Sequence, residues 1–374
     1  MTDRLKVALL ANLKKNAPML PGMAEDHWAD LDSESTVEAL QEAVRAGGHD
    51  CVFFEGNADL YDRLRENRPD ICFNICEGHF GDGREAQVPA LLEMLRLPYT
   101  GSKVMTLALA LDKPMTKRVL AWHDLPTPAF QTFERPDEPL DDDMIFPMFV
   151  KPAREGTGMG VSSKSIVQTE AELREQLDYL INRYNQTALV ERYIPGREVT
   201  VGLVGNIPGV VARRLPSRFY ASRERDYSPA GLAALKAGGL TFLPPLEIDL
   251  APYQDSDVVY SNRLKTDLAD QLGYMCPAPL EGAQVQELNW LTAAVFRVCG
   301  CLDVARVDFR LDENDNFKPY ILEINPLPGL TPKISDLVIE AAALDISHTE
   351  LVNLILEAAI ARYGLQLGRF VSRP

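Results

Sequence analysis

Residues 305–329 read ARVDFRLDENDNFKPYILEINPLPG, two stretches of alternating side chains on either side of a turn-forming DENDN. A period of two puts Arg306 and Asp308 on one face of the first strand, and Glu323 and Asn325 on one face of the second. If DENDN turns a hairpin, these side chains converge. Two carboxylates and an amide oxygen form an all-oxygen donor set suited to Mg2+, which completes its shell with water and phosphate. Acids gathered this way without a cation would be costly to bury. The hairpin therefore calls for a cation beside it, and for a fold that brings a phosphate-bearing ligand there.

Three further stretches could supply that ligand's other contacts. In FVKPAREGTGMGV, residues 149–161, Lys151 ends an apolar strand ahead of Gly156, Gly158 and Gly160. This is neither a Walker loop nor a dinucleotide fingerprint. Glycines still let backbone N–H groups approach phosphate oxygens, and the lysine adds a point charge. Alone, an ordinary strand turn is the better reading. In LVERYIPGREVTVGLVG, residues 189–205, an extended edge carries Glu191 and Tyr193 on one side, with Glu198 beyond Pro195-Gly196. Edge backbone can read an adenine and a carboxylate can take ribose hydroxyls, although two solvated glutamates explain the pattern equally well. LDKPMTKRVL, residues 111–120, sets Lys113 near the start of a helix, where a solvated lysine is the ordinary reading.

At 374 residues the chain exceeds one ordinary core. KVALLA, CVFFEG and DICFNICEG read as strands separated by helices, which predicts a small parallel sheet over roughly the first hundred residues. Beyond it the pattern is α+β. Residues 207–258 read as a long loop, the length typical of lids and binding loops. The net charge of −16 argues against nonspecific nucleic-acid binding. Six cysteines without a C-x-x-C pair read as reduced thiols. No apolar run approaches a membrane span and no signal peptide is evident, so a cytoplasmic protein with no membrane partner is expected.

Taken in order, EGHFGDGREAQVPALLEMLRLPYTGS, DKPMTK, FVKPAREGTGMGV, VERYIPGRE, ARVDF and EINPLPGLTPKIS resemble the ATP-grasp enzymes, and among them the D-alanine–D-alanine ligase-like group. The resemblance implies a parallel-sheet N-terminal domain (1–104), a central subdomain with the glycine loop (105–195), and a C-terminal subdomain (196–374). The last would carry the metal site and a mobile loop at about 207–265, and the two subdomains would sandwich ATP. It implies that Lys113, Lys151 and the loop around Gly156, Gly158 and Gly160 bind phosphates. Glu191, the Tyr193-Ile194 backbone and Glu198 would hold adenine and ribose. Asp308, Glu323 and Asn325 would hold a pair of Mg2+ ions, for which Mn2+ could substitute. Arg306 and the Gly329 N–H would stabilise an oxyanion, Lys265 would reach the γ-phosphate, and Thr157 stands where relatives have a loop serine. Homodimers are common in the family.

The departures fall at substrate positions. The His-Gly pair expected around the first substrate reads Glu77-Gly78, with His79 displaced by one place. Glu34 is the candidate for binding an amino group, preceded by an apparent insertion, APMLPGMAEDHWAD; Ser335 is the candidate for a substrate carboxylate. The basic groups Arg213, Arg214, Arg218, Arg223 and Arg225 are candidates for gripping an acidic substrate, although a solvated loop explains them equally well. The expectation is an ADP-forming carboxylate–amine ligase working through an acyl phosphate on an amino acid and another amino acid or small molecule, for example in specialised-metabolite synthesis. A D-alanine–D-alanine ligase of peptidoglycan synthesis is the alternative. A noncatalytic nucleotide sensor is remote, because such a protein would be expected to lose metal ligands or Arg306.

Overall fold

The structure, a computed structural model, describes residues 4–207, 239–249 and 273–365. Lys265 and the five arginines above lie outside these residues. Strand β1 (Lys6–Ala11) is the centre of a parallel sheet ordered β2-β1-β3, with β2 Asp50–Glu55 and β3 Ile71–Asn74. A parallel sheet is buried on both faces, which is why β1 is continuously apolar rather than alternating. Val7 and Leu9 face helix α1 (Glu34–Ala46), while Ala8 and Leu10 meet α2 (Leu60–Glu66) and α3 (Gln87–Met94). Helix α1 begins where Ser33 accepts the Thr36 N–H and ends at Gly47-Gly48, with Gly48 in the left-handed region.

Helices α4 (Val104–Leu111) and α5 (Lys113–Trp122) lead to an antiparallel sheet ordered β4-β7-β5-β6. Its strands are β4 Phe130–Phe133, β5 Met148–Pro152, β6 Ile166–Val167 and β7 Ala188–Arg192. Helix α6 (Glu170–Tyr184) covers one face with Leu173, Leu177 and Leu180. The third sheet runs β11-β10-β8-β12-β13, with β9 also on β8. Its strands are β8 Gly196–Val204, β9 Thr241–Phe242, β10 Leu246–Asp249, β11 Gly273–Met275, β12 Val304–Asp312 and β13 Lys318–Asn325, backed by α7 (Gly282–Val298). The tract read as loop from 207 to 258 thus contains β9 and β10. These strands are too short, and too interrupted by Pro244-Pro245, to show a period in sequence.

Helices α8 (Asp336–Ala342) and α9 (His348–Tyr363) return to the N-terminal sheet, where Leu351, Val352 and Ile355 share a core with Val7, Leu9 and Leu40. Fully buried Asp303 ties this return together. Its carboxylate accepts from Arg362 Nε and Nη2 at 3.0 and 2.6 Å, from Asn206 Nδ2 at 2.7 Å and from the Gly101 N–H at 2.9 Å. All six cysteines are free, and no helix among the described residues is long and apolar enough to cross a membrane.

Asp303→Ala would strand a mostly buried guanidinium and should cost about 3–5 kcal/mol in urea unfolding. The Asp303→Ala/Arg362→Ala double variant should lose less than the sum of its singles.

Candidate active site

The β12–β13 hairpin forms as its alternation predicts. Arg306 pairs with Asn325 and Asp308 with Glu323, just before a register shift at Asp308/Phe309. Asp308 accepts from Arg306 Nε and Nη2 at 2.9 and 3.0 Å, from Asn325 Nδ2 at 2.9 Å and from the Thr200 hydroxyl at 2.6 Å. Arg306 reaches Asp336 on its other side at 3.3 Å. Glu323 lies 3.4 Å from Lys113 Nζ. Asp308 and Glu323 line one cavity and Glu323 and Asn325 the next, so two carboxylates and an amide supply hard oxygen donors at the junction. That set fits Mg2+.

Helix α5 positions Lys113 at its first residue. Asp112 caps the helix by accepting the Met115 N–H at 2.9 Å, and Pro114 follows at a position that needs no donor. The Lys113 ammonium also donates to the Glu155 carbonyl at the start of the glycine loop. Lys151, at the end of β5, pairs with Glu191 on β7 at 2.7 Å. The other Glu191 oxygen pairs with Lys117, whose ammonium also donates to Thr127 Oγ1 at 2.7 Å. Burial pushes the Glu191 carboxyl up, but the two ammonium groups outweigh it and hold it below the usual carboxylate range. Burial likewise opposes charge on Lys151, and Glu191 more than restores it.

The expected nucleotide residues line a cavity of about 860 Å³: Lys113, Lys151, Gly156, Gly158, Glu191, Tyr193, Ile194 and Glu198, together with Asp308 and Glu323. Gly160, expected with them, is not in this wall, and two further details differ from expectation. Both Glu191 oxygens are engaged by lysines, so this carboxylate holds ammonium groups instead of offering itself to adenine. The Tyr193 N–H is committed to the Pro147 carbonyl at 3.1 Å, which removes one of the expected backbone donors. Glu198 sits 3.4 Å from Arg310, a guanidinium the motifs did not single out.

A second cavity of about 1080 Å³ adjoins the first and is lined by Glu77, Thr157, Arg306, Asn325, Gly329 and Ser335. Thr157 adopts a φ of 51°, and Ser335 Oγ accepts the Thr331 N–H at 2.9 Å. Glu34 is not in this wall; it starts α1 in an exposed pair with Lys15. His79 also lies outside the wall, edge-on to Trp28 at 5.4 Å. In their place the wall carries Asp30, from the apparent insertion, and Glu85. Arg84 binds Asp30 at 2.9 Å and Glu155 at 3.5 Å. The acids crowd one another: burial, and then other charges including Asp30, push Glu85 up to about 7, and burial followed by Asp30 does the same to Asp32. Asp30 shares AEDHWAD with Glu25 and Asp26, and nothing in the sequence tells the three acids apart. Lys117 carried no signal beyond helical spacing.

The D-ala D-ala ligase C-terminus family matches residues 119–238 and 240–357. An uncharacterized protein, y4sG, of Sinorhizobium fredii is 33% identical over 339 residues, 88% of each chain. The D-alanine–D-alanine ligase of Syntrophotalea carbinolica is 30% identical, covering 93% of this chain and 97% of its own. The structure of D-alanine–D-alanine ligase from Bacillus anthracis complexed with ATP superposes with a TM-score of 0.67 at 19% identity, over 96% of this chain and 99% of that one.

Lys117→Met leaves Glu191 with a single counter-ion and draws Lys151 onto it. ATP affinity should fall about tenfold by calorimetry, with a stability loss on the order of 3–5 kcal/mol; an unchanged affinity would mean that Lys117 serves packing alone. Asp32 titrates near 7 when folded against 3.8 as its reference value, so the folded chain binds the extra proton between those values. Stability supplied by that proton is complete below the lower value and is lost as pH rises through the upper one. Asp32→Asn should flatten this decline in urea unfolding measured at a series of pH values.

Proposed function

Because this chain belongs to the D-alanine–D-alanine ligase family of ATP-grasp enzymes, which are ADP-forming ligases, we propose that it joins two amino acids with ATP hydrolysis, D-alanine being the amino acid its relatives' names point to. The sequence alone put other substrates, and a role in specialised metabolism, ahead of D-alanine. The family match and the ligases named above support D-alanine better. The observation that carries this reading is a shared wall: Lys113, Glu155, Gly156 and Glu323 line both cavities. A phosphoryl donor in one cavity and a carboxylate in the other would meet there.

A carboxylate is a poor electrophile for an amine. In the proposed reaction its oxygen attacks the γ-phosphorus, the bond to the bridging oxygen breaks, and ADP leaves with that electron pair. Lys113 and Lys151 offset the charge on the transferring group. A divalent cation, when bound, adds charge neutralisation there, and Asp308, Glu323 and the Asn325 amide oxygen are the donors that would hold it. A neutral amine then adds to the acyl carbon. Arg306, held by Asp308 and Asp336, and the Gly329 N–H stabilise the oxyanion, and phosphate departs with the bonding pair and takes up the proton that the amine loses. The intermediate hydrolyses in water, so the glycine loop must exclude solvent while it exists.

ATP, Mg2+ and paired D- or L-amino acids should release ADP fastest with D-alanine, with the dipeptide seen by mass spectrometry. A faster partner set would displace D-alanine. Asp308→Ala or Glu323→Ala should lower turnover by a factor on the order of 10²–10³, whereas full turnover in either would remove that residue from the cation site.

A further inference from the structure

We propose that the segment ahead of α1, residues 18–30, pins the glycine loop from the N-terminal side, with Asp26 as the positioning residue. The loop is gripped at both ends by this one segment. At its far end the Gly160 N–H donates to Asp26 Oδ2 at 3.0 Å, and the Tyr184 hydroxyl on α6 donates to the same carboxylate at 2.9 and 3.1 Å. At its near end Asp30 holds Arg84, which donates to the Arg154 carbonyl at 2.9 Å and reaches Glu155. A third contact runs from Arg183 to the Gly22 carbonyl at 3.3 Å. The segment is itself anchored by buried Trp28, whose Nε1–H donates to the Pro18 carbonyl at 3.1 Å and whose ring meets His79 and Phe80 edge-on.

Gly160 suits this post sterically. Its φ is +71°, and a Cβ there would lie 2.7 Å from Pro152 Cγ. Gly156, Gly158, Met159 and Val161 line the nucleotide cavity, whereas Gly160 turns its amide to Asp26. The loop thus divides its backbone between ligand and protein. Asp30 walls the second cavity while its neighbour four residues earlier holds the loop over the first. The segment therefore links closure over the nucleotide to the wall of the amino-acid site. Losing the pin would let water reach the acyl phosphate, so ADP would form without product.

This rests on the nucleotide reading of the first cavity, and two readouts separate the failures. Hydrogen exchange of peptides spanning 153–162, in the ligand-free full chain, should be at least about tenfold faster in Asp26→Ala than in wild type. Asp26→Asn, which keeps an acceptor for Gly160, should stay near wild type, and Tyr184→Phe should fall between them. With ATP and D-alanine, Asp26→Ala should raise KM for ATP several-fold and release more ADP than dipeptide, with Tm little changed. Equal exchange in Asp26→Ala and wild type, or faster exchange spread over the whole chain, overturns the pin. If Asp26→Ala does not fold, unchanged loop exchange in Tyr184→Phe overturns it instead. Failure of wild type to bind a nonhydrolysable ATP analogue overturns the nucleotide reading and leaves the exchange comparison to judge the pin.

Discussion

The first cavity depends on one carboxylate placed between two ammonium groups. Glu191 lies on β7, the strand hydrogen-bonded to β5, so Lys151 reaches it from the neighbouring strand and Lys117 from α5. Two lysines buried side by side without it would repel each other and shed their protons. With it, Lys151 is held above the ordinary lysine range, while burial still pulls Lys117 below that range against the attraction of Glu191. This is the physical reason for a lysine ahead of the glycines. The residue sits on a strand beside its counter-ion, while the loop that follows lines the cavity.

The acid end of the cleft follows the same logic with the signs exchanged. Asp308 is surrounded by donors from Arg306, Asn325 and Thr200, and Glu323 faces Lys113. Among the described residues, the charged groups that line the first cavity have partners of opposite sign, so a charged ligand there would exchange partners instead of meeting bare charges. Such exchange keeps desolvation costs low on both sides.

How much of this was legible in sequence depends on how far each residue's neighbours lie along the chain. A strand's period of two decides which face a side chain takes. Arg306, Asp308, Glu323 and Asn325 were therefore placed together by counting alone, and the Lys6–Ala11 strand by its unbroken apolar run. Glu34 illustrates the opposite case. It has the right charge near the right helix, yet the cavity wall takes Asp30, because only the folded path of the segment before α1 decides which carboxylate turns inward. Lys117 and Asp303 are ordinary charged residues in sequence. Their burial is created by segments that meet only in three dimensions. The strands β9 and β10 were missed because a few residues between prolines carry no readable period.

The return of the closing helix has a consequence for how the chain is made. One face of the first sheet is completed by Leu351, Val352 and Ile355, and the Asp303 junction closes only when Arg362 arrives. During synthesis, β1, β2 and β3 emerge from the ribosome long before those residues exist, with the Val7 and Leu9 face only partly covered by α1. The N-terminal unit is therefore translated well before it can be finished. Until then it presents the kind of exposed apolar surface that chaperones shield.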